Sequence, residues 1–114
     1  MDNNTQTVLV TPNQQQILCM ASFLQERQPL MQKWFSDRGV FADDVRYLYD
    51  TLVAPVTNGQ ITAVTQPLRM RMDVHGALLE YFCAQTDDID KHFAAWGMSE
   101  DSKEREDFMQ AWEL

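Results

Sequence analysis

The sequence predicts an all-α protein, a compact single-domain bundle of about five to six short helices. Three observations point there. Apolar residues recur at three- and four-residue spacings through most of the 114 positions. Prolines, glycines and capping hydroxyls punctuate these runs at helix-length intervals. No short β-branched stretch has a convincing partner with which to form a sheet. A chain of this length supports one modest core, and 45% hydrophobic residues is ordinary for a globular domain.

Residues 1–10 read as a flexible arm, carrying one short apolar run, Val8 to Val10. The helical domain then spans 11–114, with an acidic C-terminal part at 80–114. Thr11-Pro12 reads as the first helix start, because proline is tolerated where its missing N–H has no partner. Ile17, Met20, Ala21 and Leu24 form its apolar face. Pro29 kinks or restarts the helix. Leu30, Met31, Trp34 and Phe35 make the next face, and Gly39 stops it. A third helix follows from Val40 to Ala54, with Phe41, Val45, Leu48 and Leu52 as its stripe and Pro55 as its end. "PVTNGQ" reads as loop, with an Asn58-Gly59 turn. "ITAV", Ile61 to Val64, with Thr65 reads as loop too, since a strand there has only Val8 to Val10 as partner.

The longest helix is expected from Thr65 to Ala84, opened by Gln66-Pro67. Leu68, Met72, Leu79, Phe82 and Cys83 line one side, and Met70, Val74 and Leu78 broaden it. Gly76 inside it costs about 1 kcal/mol relative to alanine, which suggests close approach by another helix of this chain or of a partner. Thr86 caps a short helix that runs to Trp96, and Gly97 stops it. Ser99 caps the last helix, whose apolar face is Phe108, Met109 and Trp112.

The formal net charge is −8, unevenly spread. Residues 1–79 hold seven acids and six bases, whereas 80–114 hold ten acids and three bases. Direct binding to nucleic acid is therefore not expected, because it needs Lys and Arg to displace phosphate counterions. No apolar run approaches the roughly 18 residues of a membrane span, and the N-terminus lacks signal-peptide character. A cytoplasmic location with no membrane partner is expected. Cys19 and Cys83 both lie in apolar helical patterns and read as reduced core residues.

No catalytic residue, metal site or cofactor is expected. In "DDID", Asp87, Asp88 and Asp90 point in three directions from a helix, and only Asp88 and His92 share a face. His75 and Cys83 are separated by roughly 12 Å of helical rise, beyond hydrogen-bond reach. Cys19 with either histidine stays geometrically open. The named nucleophile, phosphate-loop and zinc motifs are absent.

The remaining features suggest binding. The acidic candidates are Asp87, Asp88, Asp90, Glu100, Asp101, Glu104, Glu106 and Asp107. Asp87, Asp88, Glu100 and Asp101 have a local reason to be acidic, as first-turn residues near a positive helix end. Capping does not explain Asp90, Glu104, Glu106, Asp107 or Glu113. Arg69 and Arg71 within "LRMRM", together with Trp112 near the C-terminus, form a second candidate edge, since Arg and Trp are enriched at interfaces. The expected function is a non-enzymatic acidic protein that docks on a basic, nucleic-acid-binding surface of a larger protein and inhibits it. Small acidic helical proteins of that type occur among anti-CRISPR and anti-restriction proteins, a likeness of kind and not of residues. The alternative is a helical adaptor, chaperone or complex subunit whose acidity serves solubility. Gly76 and Trp112 leave a homodimer open.

Overall fold

The computed structural model describes residues 6–64 and 67–114. Of the described residues, 70% are helical and 7% strand, which makes the chain an all-α bundle with one small β-ribbon. The elements run β1 (Thr7–Val10), α1 (Gln14–Glu26), α2 (Gln28–Asp37), α3 (Ala42–Leu48), α4 (Ala54–Thr57), β2 (Leu68–Arg71), α5 (Met72–Ala84), α6 (Thr86–Ala95) and α7 (Lys103–Trp112). A π-helical turn, Tyr49–Val53, joins α3 to α4, and Ile61–Ala63 forms a 3₁₀ turn.

The ribbon corrects two expectations. Residues 7–10 are not an arm, and 68–71 are not helix. The two segments pair antiparallel, with Val10 opposite Leu68, Val8 opposite Met70 and Leu9 opposite Arg69. Both alternate. Val10, Leu68 and Met70 are buried, while Leu9 and Arg69 face solvent. "LRMR" fits this period of two as well as a helical stripe, and the partner 60 residues away decides between them. Thr65 and Gln66, the expected helix opening, lie outside the described residues.

The real helix starts follow side-chain chemistry. Asn13, not Thr11, caps α1. Its side chain accepts from the Gln16 N–H at 2.8 Å, and the Gln16 side chain accepts from the Asn13 N–H in return. The chain restarts after Arg27, and Pro29 sits in the first turn of α2. Pro55 does not end its helix. The wider π turn immediately before it, with the Ala54 N–H bonded to the Tyr49 carbonyl, relieves the clash a proline imposes on the preceding turn. Thr86 is the first residue of α6, not its cap. Ser102, not Ser99, caps α7 and accepts from the Arg105 N–H at 3.1 Å. Glu100 and Asp101 therefore lie in the preceding turn, and Glu104 and Glu106 occupy the first turn. Gly39 and Gly97 do follow α2 and α6, with φ of +74° and +77°, conformations that other residues adopt at a cost.

One hydrophobic cluster holds the elements together. Phe23 of α1 lies at its centre, with ring centroids 5.6 Å from Tyr81, 5.3 Å from Phe82 and 5.4 Å from His92. Phe93, Phe108 and Trp112 extend the stack and dock α7. The buried side of α5 is Val74, Ala77, Leu78, Tyr81 and Phe82. Met72, Leu79 and Cys83, expected in the core, are exposed. The helix packs on the side that carries Val74, Ala77, Leu78, Tyr81 and Phe82, and at 3.6 residues per turn that leaves Met72, Leu79 and Cys83 on the other side. Phe41 is 55% exposed because it precedes α3 as its N-terminal flank. Gly76 is exposed, and a Cβ there would meet no atom of the described residues within 4 Å, so no described helix approaches it.

Candidate docking site

The eight candidate acids separate into internal and outward groups. Asp88 is internal. Arg27 donates to it twice, from Nε at 2.6 Å and from Nη2 at 2.8 Å, and Tyr81 donates its hydroxyl. The Arg27 guanidinium holds the Asp88 carboxyl below the usual carboxylate range, against the opposing effect of burial. Burial, then the bond to Asp88, pushes the Tyr81 phenol up to about 12. This triad ties the end of α1 to α5 and α6. Asp90 pairs with Arg105 and ties α6 to α7.

The outward group is Glu100, Asp101, Glu104 and Glu106. All four are exposed, and none forms an ion pair among the described residues. They fall in the turn before α7 and its first turn. Asp107 lies beside them and pairs with Lys103 at 3.3 Å, an exposed contact of small value. Asp87 is exposed too, but sits at the opposite end of α6, about 12 Å of helical rise from its C-terminal end.

A cleft of about 330 Å³ opens beside this group. Asn13 and Gln16 of the α1 start, Trp96 and Met98 after α6, and Glu104 and Asp107 of α7 line it. Sequence reasoning did not select Trp96 or the α1 start. Trp96 carried a signal, as a tryptophan directly before a helix-stopping glycine. The cleft itself depends on how α1, α6 and α7 pack.

The second candidate edge does not hold together. Trp112 is fully buried and offers no partner surface. Its carbonyl accepts from the His75 ring at 3.0 Å. Arg71 lies over the Tyr47 ring at 4.5 Å, with Nε 3.8 Å from Asp44. Arg69 alone faces solvent, with Nη1 3.4 Å from the Thr7 hydroxyl. A larger groove of about 530 Å³ runs between α2 and α3, where Gln28, Gln32 and Ser36 face Arg46, Tyr49 and Asp50. Its lining is mixed and near neutral, and it does not adjoin the acidic group.

The His92 ring and the Cys19 thiol are buried, whereas the Cys83 thiol is exposed. The ring of His92 donates to the Cys19 carbonyl at 3.0 Å, and burial lowers its pKa. Burial pushes the Cys19 thiol up to about 12, far from the thiolate that nucleophilic chemistry needs. No cluster of three or more metal-ligating side chains forms among the described residues. Asp44 is nearly buried, and burial, then a hydrogen bond with Asp73, pushes it up to about 6. No described helix is long and apolar enough to cross a membrane. Comparison with known proteins returns no matching family, no similar curated protein and no similar solved structure.

Proposed function

We propose that this protein is a non-enzymatic acidic docking protein. Its α6–α7 end meets a basic surface on a larger protein, a surface that otherwise holds nucleic acid, and blocks it in the manner of anti-CRISPR or anti-restriction inhibitors. One observation carries the reading: Glu100, Asp101, Glu104 and Glu106 are exposed within seven residues and engage no base among the described residues. Asp88 and Asp90 are taken up by Arg27 and Arg105, and the first turn of α7 gives Glu104 and Glu106 a local reason to be acidic, but Glu100 and Asp101 have neither. An uncompensated group of one sign speeds encounter with the opposite sign and suppresses approach of phosphates.

The test is competition. With the partner isolated from the native host, binding should exclude nucleic acid and weaken steeply with salt. The variant E100Q/D101N/E104Q/E106Q should bind more than tenfold more weakly while keeping its circular dichroism spectrum. Unchanged affinity in that variant rejects the reading.

The adaptor alternative draws on a separate observation. Met72, Gly76, Leu79 and Cys83 form an exposed, uncharged line along α5, the spacing of a helix-in-groove contact or of a homodimer seam. Binding that ignores salt and disappears in Leu79→Asp would favour it.

A further inference from the structure

We propose that the cleft between the starts of α1 and α7 seats an arginine side chain of the basic partner. This rests on the docking reading and names what the acidic end grips.

The fold itself shows how it treats aromatic faces. Arg27 lies over Phe23 at 4.4 Å, Arg38 over Trp34 at 3.2 Å, Arg71 over Tyr47 at 4.5 Å and Arg105 over Phe93 at 4.9 Å. Trp96 is half-buried, yet among the described residues no cation lies over its ring. Indole is the strongest cation–π partner, and a flat guanidinium stacks on it better than an ammonium.

Charge points the same way. Glu104 and Asp107, three residues apart on one face of α7, line the cleft together, and no Arg or Lys is among its lining residues. The positive ends of α1 and α7 lie nearby. Each amounts to only about half a charge, and Asn13 and Ser102 cap them, so two full carboxylate charges prevail. Lys103, whose side chain is 82% exposed, is held to Asp107 only loosely and yields to a better-placed donor. A fork of N–H donors can bridge two carboxylates while its plane rests on the indole. The volume, about 330 Å³, is at the small end of the roughly 300–1,000 Å³ of ligand pockets and suits one long side chain.

The test titrates Nα-acetyl-arginine amide into the full chain at low salt, followed by ¹⁵N NMR. The Trp96 indole N–H should shift and saturate. E104Q/D107N should weaken binding at least fivefold, whereas E100Q/D101N, with the same charge change outside the cleft, should weaken it less than twofold. Nα-acetyl-lysine amide should bind several-fold more weakly. Equal losses in both variants, an unmoved Trp96 signal, or equal affinity for the two amides overturns the arginine seat. Binding to the isolated partner separates the two ideas. If E100Q/D101N/E106Q impairs it and E104Q/D107N does not, the seat is wrong and the docking reading stands. If arginine amide binds as expected while partner binding ignores every acidic variant, the cleft binds arginine, but the docking reading is wrong and the partner's arginine is not its occupant.

Discussion

Arg27 and Asp88 lie 61 positions apart and meet in two short hydrogen bonds, with Tyr81 closing the triad. Removing one member leaves a poorly solvated charge behind. Arg27→Met should therefore destabilise the fold by roughly 2–3 kcal/mol, checked by chemical denaturation. It also means that Asp88 cannot be reversed to lysine as a surface probe, because its loss strikes the core. Gly76 gives the opposite expectation. It is helical and exposed, and a methyl there meets nothing within 4 Å. Gly76→Ala should stabilise the isolated chain by up to about 1 kcal/mol, raising the melting temperature by a few degrees. A destabilised or dissociated species instead would mean that a second chain packs on α5. The glycine was plain in the sequence. Its empty surroundings were not, since they depend on what α5 faces.

At the scale of the element, α1 depends on the reciprocal bonds of Asn13 and Gln16. Asn13→Ala should cost about 1 kcal/mol, read from the denaturation midpoint at unchanged slope. Burial of Asp44 of α3, with Asp73 of α5 beside it, makes the contact between those helices pH-dependent. Asp44 titrates near 6 in the fold, above its unfolded value of about 3.9. The folded chain thus holds the proton more tightly. That contribution to stability is complete below about pH 4 and is lost as pH rises through about 6. Asp44→Asn should flatten the fall in melting temperature across this window and help most at about pH 8. A parallel pH profile in the variant would show that another group governs it. The sequence made most helices legible, since Pro29, Gly39 and Gly97 act locally. The ribbon was less legible, because "LRMR" satisfies either period until β1 is beside it. Which side of α5 is buried was open for a similar reason, since apolar residues lie all round it and only packing selects the side of Val74, Ala77, Leu78, Tyr81 and Phe82 over that of Leu79 and Cys83.

Across the whole molecule, acid divides between carboxylates paired within the chain and carboxylates that face outward. Asp88 and Asp90 pull α6 against its neighbours, while Glu100, Asp101, Glu104 and Glu106 face outward with no ion pair among the described residues. Neutralising those four reduces the formal charge from −8 to −4 and relieves self-repulsion. The melting temperature of E100Q/D101N/E104Q/E106Q in low salt should hold or rise by a degree or two. A large fall would reveal a structural role for the group. Composition and local periodicity, readable along the chain, determined the helical class and the excess acid of its last third. Tertiary packing alone decided which carboxylates remain available, that Trp112 belongs to the core, and that Trp96 opens onto a cleft with Glu104 and Asp107. The physical reason is range. Propensity, capping and charge count are properties of neighbouring residues, whereas burial and pairing depend on residues that the chain brings together only when α1, α5, α6 and α7 have packed.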